Sequence, residues 1–221
     1  MSTTITTKNQ GGFSIVELTI AMTLTLIIAG ASATLLSQSF RMRSREDKRS
    51  DAIADAQRAL NIVSREIANS GYGLMDNGIV PGDTNSNSIR IRANLNAYTL
   101  EPGSGGVTDP DEDIKYLMYI DEAENRHYLV RLDAEIAKVD RTRATTVLAN
   151  RLDFFNLEFF DGNGAPIAAN TAAVVNAWKV RITVGVILPE DGIRNTPGYQ
   201  PPSSVRLVSD VVLRNASQIT Y

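Results

Sequence analysis

The sequence predicts an α+β protein in which a long N-terminal helix packs on an antiparallel β-sheet domain. Three observations indicate this fold class. An apolar run near the N-terminus is long enough to span a bilayer, an amphipathic helical pattern continues it, and the later part of the chain consists of short strand-like segments separated by loops, with period-two alternation in Ser88–Leu95. Helices and antiparallel strands in separate parts of a chain are typical of α+β folds.

The apolar run begins with an unusual pattern. Residues 1–10 are polar and resemble a leader, and two glycines follow. Between Phe13 and Phe40 the one charged residue is Glu17, and the uncharged run Leu18–Leu36 is about 28 Å long as a helix, close to one hydrocarbon core. An acidic group inside a spanning helix costs on the order of 3 kcal/mol, so we expect Glu17 to have a partner.

No lysine or arginine lies one turn from Glu17, so the sequence itself offers no partner on this helix. Cleavage between Gly12 and Phe13 would create one, because the new α-amino group of Phe13 has an ordinary pKa near 8. In a packed bundle, the Phe13 amine of a neighbouring chain would meet Glu17. The charge pair would then set the register of assembly.

The residues GGFSIVEL, followed by the apolar run, resemble the cleavage and methylation signature of type IV prepilins. The resemblance implies that a prepilin peptidase cuts after Gly12 and methylates the amine of Phe13, and that Glu17 aligns subunits in a filament. Four later segments are similar to W-type minor pilins and J-type minor pseudopilins: SREIANSGYG, FFNLEFFDGNG, WKVRITVGV and VVLRN.

The resemblance implies a structural minor subunit of a type IV pilus. Such a subunit is first inserted in the inner membrane as a single-pass protein with its domain in the periplasm. It is then incorporated into, or primes, a filament at the cell surface. The implied partners are major and minor pilin subunits, the prepilin peptidase, the inner-membrane assembly platform and membrane lipid. A minor pseudopilin of a type II secretion system and an exported adhesin or binding domain are the alternatives.

Two simpler interpretations of the N-terminus compete with a prepilin. In the first, the run is a plain signal anchor with Glu17 near the interface. In the second, a secretory signal is cleaved after Ala33 and releases a domain that begins at Thr34. Both leave the two glycines unexplained.

The flanking charges conflict with the orientation that the resemblance implies. Cationic side chains near a membrane favour the cytoplasmic side. Lys8 precedes the run, whereas five cations follow it: Arg41, Arg43, Arg45, Lys48 and Arg49. Taken alone, this bias predicts a cytoplasmic domain. The cationic segment also suits a solvated helix face, or a contact with lipid headgroups or a neighbouring subunit.

The helix is predicted to continue beyond the charged segment. One apolar stripe follows at spacings of three and four, and it consists of Ile53, Ala56, Leu60, Val63 and Ile67. No proline occurs between Phe13 and Gly71, so we expect an unbroken helix of about 80 Å. Asn69-Ser70-Gly71 is a helix-end signal. We expect a cleaved leader at 1–12, a transmembrane or filament-core helix at 13–40, an amphipathic half at 41–70 and a β-rich domain at 71–221.

Period-two alternation predicts a strand at Ser88–Leu95, and further strand segments are predicted between turn and loop signals; the helix stripe is expected to pack on one face of their sheet. Asp121 to His127 is predicted to connect a hairpin, and Asp161-Gly162-Asn163-Gly164 is a strong turn signal. The predicted strands are Ser88–Leu95, Ile114–Ile120, Tyr128–Leu132, Ile136–Val139, Thr146–Leu148, Phe154–Phe160, Trp178–Leu188 and Val205–Leu213.

An acidic loop suggests calcium, because Asp109, Asp111 and Asp113 alternate like the start of a calcium-binding loop. Ile114 and Ile120 stand where that loop needs its glycine and its glutamate. A solvated acidic loop and an irregular calcium site therefore remain as interpretations. In the same region, Tyr116, Tyr119 and Tyr128 suit either cross-strand packing or an aromatic patch for a ligand.

Composition restricts the remaining classes of function. The 221 residues suit one domain plus an anchor, and 43% hydrophobic and 21% charged residues are typical of a folded chain. The net charge of −3 predicts no nucleic-acid partner, and the absence of cysteine excludes disulfides and thiolate metal sites. His127 has no nucleophile signature nearby and is interpreted as a surface or strand-end residue. We therefore expect no enzymatic activity and no cofactor.

Overall fold

The computed structural model describes residues 12–96, 106–123, 126–150, 152–188, 190, 192, 194–196 and 199–216. Two short 3₁₀ turns, Pro81–Asp83 and Ala172–Asn176, lie among the main elements. In chain order the helices and strands are α1 (Ile15–Ala68), β1 (Ser88–Arg92), β2 (Asp113–Asp121), β3 (Arg126–Asp133), α2 (Ala134–Ala137), α3 (Arg141–Ala144), β4 (Thr145–Asn150), β5 (Leu152–Phe160), β6 (Pro166–Ile167), β7 (Lys179–Leu188) and β8 (Ser203–Val212).

Helix α1 forms a single unbroken element of 54 residues, about 81 Å long, as the absence of proline predicts. Ser14 caps its N-terminus with a side-chain oxygen that accepts from the Val16 amide. Asn69 is the C-terminal cap, and Gly71 follows in the left-handed region at φ 76°. The predicted helix and its end signal are confirmed.

The second half of α1 packs against β4, β7 and β8. Its buried stripe contains three alanines, which allow a close approach of the helix to the strands. Ile53, a predicted member of the stripe, is only half-buried, and Ala52 and Ala59 are buried instead. The buried residues of α1 are Ala52, Ala56, Ala59, Leu60, Val63 and Ile67.

The β domain contains two four-stranded antiparallel sheets, whereas the sequence pattern predicted one. The first has the order β1-β2-β3-β4 and the second the order β6-β5-β7-β8. Helix α1 contacts strands of both sheets, so it joins them into one core. The largest fully buried side chains of that core include Tyr116, Phe155 and Phe159. The α+β class with a long N-terminal helix, a pilin-like arrangement, is confirmed.

One predicted strand is wrong. Ile136–Val139 does not form a strand, because the short helix α2 occupies this part of the chain. The Asp133 carboxylate caps α2 by accepting from the amides of Glu135 at 2.9 Å and Ile136 at 3.0 Å. The other predicted strands form with ends shifted by a few residues, and the predicted hairpin forms between β2 and β3, in which Tyr119 pairs with Tyr128.

Two glycines attach the end of α1 to strand β1. The Gly71 amide donates to the Arg92 carbonyl at 2.8 Å, and the Arg92 amide donates to the Gly78 carbonyl at 2.7 Å. Gly78 also has a left-handed φ of 73°. A Cβ on either glycine would overlap backbone atoms of the facing segment, so this approach of two backbones depends on glycine.

Candidate functional site

The peptide bond between Gly12 and Phe13 lies in the short non-helical segment before α1. Both residues are exposed, with 84% of Phe13 accessible, and a Cβ at Gly12 would meet no atom within 4 Å. Ser14, the N-terminal cap of α1, follows Phe13 directly. A protease therefore has open access to this bond. Gly11 and the residues before it lie outside the described part of the chain.

Glu17 lies in the first turn of α1, four residues after Phe13. Within the residues that the structure describes, no cationic side chain is within ion-pair distance of it. The positive end of the helix dipole is the nearest favourable partner for a carboxylate there. The geometry thus leaves Glu17 available for a cation from another molecule.

The first half of α1 is almost fully exposed. From Gly12 to Asp51 every residue is exposed except Arg45. Helix α1 is long and apolar enough to cross a membrane. Its apolar stretch is entirely unburied in the structure. An apolar helix surface of this length requires lipid or other helices to cover it.

Four threonines in the apolar half donate their hydroxyl groups to backbone carbonyls of the same helix. Thr19 donates to the Val16 carbonyl at 2.9 Å, and Thr25 donates to the Ala21 carbonyl at 2.7 Å. Thr23 and Thr34 bond in the same way to carbonyls three residues earlier. Because these hydroxyl groups are hydrogen-bonded within the helix, they need no partner from the surroundings in an apolar environment.

A charged cluster fixes the other end of α1 to the first sheet. The buried Tyr116 hydroxyl of β2 donates to the Glu66 carboxylate of α1, and Arg131 Nε of β3 donates to the same carboxylate at 3.2 Å. Arg131 Nη2 also donates to Asp111 at 2.6 Å. Burial alone would lower the pKa of Arg131, but its hydrogen bond to Asp111 and the charge of Glu66 outweigh burial and raise it.

The three aspartates considered for calcium have separate partners. Asp113 accepts from Arg90 at 2.7 and 2.9 Å and from Arg92 at 2.9 Å. Asp111 accepts from Arg131, and Asp109 accepts from Asn96 at 2.5 Å. Among the described residues, no group of three His, Asp or Glu side chains is placed to hold a metal ion.

Glu112 organises the acidic loop. Apart from the acidic residues around it, nothing in the sequence indicated this structural role. It is 1% exposed, and its carboxylate accepts from the amides of Leu95 at 2.8 Å, Thr108 at 3.0 Å and Asp109 at 3.1 Å. Three amide donors compensate a buried carboxylate. Its role is therefore to hold the two described ends of the loop together.

The tyrosines and the histidine occupy structural positions. The Tyr119 and Tyr128 rings pack across the hairpin with centroids 6.5 Å apart, whereas Tyr116 is buried in the core. His127 is half-buried on β3, with Nδ1 3.2 Å from the Asp153 carbonyl. Among the described residues, these side chains therefore do not form one aromatic patch.

A sequence model of the prokaryotic N-terminal methylation motif matches residues 7–33. This motif is the signature of type IV prepilins, and it does not specify a branch of them. Proteins with it are structural subunits that a prepilin peptidase processes and that assemble with other pilins, and the apolar helix fits a membrane-anchored protein. No curated protein matches the chain.

Proposed function

We propose that this chain is a minor subunit of a type IV pilus, held in the inner membrane as a prepilin and then incorporated into, or priming, the filament. The leader is residues 1–12, the transmembrane and filament-core helix 13–40, the amphipathic half 41–70 and the periplasmic β domain 71–221. One observation carries the proposal: α1 buries its second half in the domain and leaves its apolar half without any cover.

Cleavage after Gly12 is the first step. The exposed, non-helical Gly12–Phe13 bond, next to the helix cap at Ser14, supports this position. Removing the leader leaves an α-amino group on Phe13, which the same peptidase methylates and which stays cationic near neutral pH. The new cation lies at the same end of the helix as Glu17.

Pairing between subunits is the second step. In lipid, helix α1 holds the subunit by its apolar surface, and in the filament the same surface packs against other helices. Glu17 pairs with the Phe13 amine of a neighbour, which removes the cost of an unpaired carboxylate and sets the axial register. A subunit that is out of register leaves both charges unpaired in an apolar bundle, so the pair selects one stagger.

The mature N-terminus tests the proposal directly. Mass spectrometry of the protein purified from its own membranes should find N-methylated Phe13 as the first residue. The Gly12→Val variant should keep its full length, because the peptidase requires the small residue before the bond. A mature chain that begins at Met1 or Thr34, or normal processing of Gly12→Val, contradicts the proposal.

A deletion strain distinguishes a role in a pilus from a role in a type II secretion system, which uses subunits of the same design. Loss of the chain should reduce surface filaments and twitching while enzyme secretion stays normal. The opposite result, in which secretion fails and filaments remain, assigns the chain to the secretion system instead. Loss of neither contradicts a filament role.

A further inference from the structure

The segment of α1 that follows the apolar run has its charges sorted by face. At 100° per residue, Arg41, Arg45, Lys48 and Arg49 lie within an arc of about 100°. We call these four residues the basic face. Ala52, which is buried under the domain, follows Lys48 by four residues, so the basic face continues the domain-facing side of α1 toward the membrane.

The acidic residues of the same segment lie elsewhere on the helix. Glu46, Asp47 and Asp51 are all outside the arc of the basic face, and so is Arg43. The contact between Arg49 and Glu46 is long, at 4.0 Å, with both side chains exposed. The basic face therefore keeps most of its positive charge for an external partner.

Arg45 attaches part of the globular domain to the basic face. Its Nη2 donates to the Pro201 carbonyl, and its Nη1 donates to Gln200 Oε1 at 3.2 Å. These two residues belong to the connection between β7 and β8. Among the described residues from 12 to 51, Arg45 is the one that is not classed as exposed, so this contact lies well below the buried stripe that begins at Ala52.

The height of this contact follows from the rise of the helix. Arg41 comes directly after Phe40, which ends the segment in which Glu17 is the one charged residue, and Arg45 lies about 7.5 Å above Phe40. The polar layer on each side of a bilayer is roughly 5–7 Å thick, and the Debye length at physiological salt is about 8 Å. With Phe40 at the edge of the hydrocarbon layer, Arg41 lies in the headgroup layer and Arg45 at its outer edge, and Lys48 and Arg49, about 12 and 13.5 Å above Phe40, lie within about one Debye length of that layer.

We infer that the basic face binds anionic lipid headgroups and thereby holds the β7–β8 connection against the membrane surface before assembly. Guanidinium groups match phosphate geometry, and cations beside a membrane-spanning helix are attracted to anionic lipid. Continuity with the spanning helix favours lipid over a neighbouring protein, because Arg41 lies at the edge of the hydrocarbon layer. The inference rests on the proposed membrane insertion of α1, but it requires no filament.

The absence of cysteine in the chain allows a site-specific test. Ser204 is an exposed residue at the start of β8, and Ser204→Cys would carry a fluorophore. The full chain is reconstituted into phosphatidylcholine nanodiscs that carry a headgroup-attached quencher, with or without phosphatidylglycerol. We expect quenching at least about twofold stronger in the anionic discs, and loss of that difference at high salt.

Matched charge variants identify the surface responsible. Arg41→Gln, Lys48→Gln and Arg49→Gln together should reduce quenching in anionic discs to the phosphatidylcholine level, and Arg45 is kept because it holds the connection. Three exposed arginines outside the basic face provide the control: Arg43→Gln, Arg58→Gln and Arg65→Gln together remove the same charge and should leave quenching unchanged. All variants are compared only after co-elution with the discs confirms insertion.

Equal quenching in both disc types, or an equal loss in both triple variants, overturns the inference. It is also overturned if the basic-face variant keeps full quenching and loses only its incorporation into filaments, because the surface then binds a neighbouring subunit. A wild-type chain that never enters filaments but shows the lipid-dependent quenching would contradict the proposed function alone.

Discussion

The hydroxyl of Tyr116 donates a hydrogen bond to the carboxylate of Glu66, 50 residues earlier in the chain. Tyr116 lies in the core on β2, and Glu66 lies near the end of α1. Burial and the Glu66 charge raise the pKa of Tyr116, so the phenol keeps its proton and remains a donor. This bond and the one from Arg131 attach the helix to two strands of the first sheet.

Tyr116→Phe should destabilise the protein, because it removes this donor and leaves the Glu66 carboxylate with Arg131 as its remaining partner. We expect a loss of about 2 kcal/mol in the free energy of unfolding, as for other hydrogen bonds to charged groups. Urea unfolding of the full chain in detergent, followed by near-UV circular dichroism, measures it. Tyr119→Phe on the same strand, where the side chain is 54% exposed, should cost less than about 0.5 kcal/mol. Equal losses would contradict the assigned bond.

Stability should fall in acid because two carboxyls are bound to cations. Hydrogen bonds from Arg90 and Lys115 lower the pKa of Asp83. Burial alone would raise the pKa of Asp113, but hydrogen bonds from Arg90 and Arg92 outweigh burial and lower it. A carboxyl whose pKa is lower in the folded state stabilises the protein above its unfolded pKa near 4, and this contribution disappears as the pH falls through the folded value.

Asp113→Asn tests this pH dependence. The wild-type free energy of unfolding should be nearly constant from about pH 7 to pH 5 and then decrease toward about pH 2. The variant should be less stable at neutral pH by about 3 kcal/mol, since Arg90 and Arg92 lose a buried partner, and its acid slope should be shallower. Asp47→Asn, on the exposed face of α1, is the control and should keep the wild-type slope. A parallel slope in Asp113→Asn would show that other groups cause the acid loss.

Gly78→Ala should strongly destabilise the attachment between the helix end and β1. We expect a loss of about 2 kcal/mol or more in the free energy of unfolding. Gly78 has a left-handed φ of 73°, and a Cβ there would overlap backbone atoms of Arg92 and Gly71. Thermal unfolding measures it, and the yield of folded protein serves if the variant does not accumulate. At Gly82 a Cβ meets nothing within 4 Å, so Gly82→Ala should be nearly neutral. Similar melting temperatures for both variants would refute the role of Gly78.

Glu17→Leu should leave membrane insertion intact and block incorporation into filaments. The substitution makes the helix more apolar but removes the partner of a neighbour's Phe13 amine, which would then be unpaired in the bundle. Alkaline extraction of membranes measures insertion, and immunoblotting of sheared filaments measures incorporation. Glu46→Gln, beyond the apolar run, removes the same charge and should incorporate normally. Normal incorporation of Glu17→Leu would refute the pairing.

Local patterns predicted most of the secondary structure. The absence of proline from Phe13 to Gly71 correctly predicted one continuous helix, and alternation correctly placed strands such as Lys179–Leu188. The failure at Ile136–Val139 has a local cause that the apolar pattern concealed: Asp133 at the end of β3 caps a helical turn. The prepilin motif was also visible in the sequence, because its residues are contiguous.

Local sequence patterns could not predict the contacts between residues that are far apart in the chain. The pairing of Arg45 with the β7–β8 connection spans 155 positions in the chain, and nothing in either segment indicates the other. The same holds for Asp111 and Asp113, which as an acidic run suggested calcium but which bind Arg131, Arg90 and Arg92 from other strands. Their partners depend on how the strands are ordered in the sheet.

The sequence by itself determined the long helix, its apolar half and the solitary carboxylate at Glu17, because these depend on near neighbours and on periodicity. Only the tertiary structure decided that two sheets form, that Glu66 holds the helix to them and that the basic face continues the domain-facing side of α1. The physical reason is that strand pairing and helix docking are set by contacts between residues far apart in the chain, which local propensity does not encode.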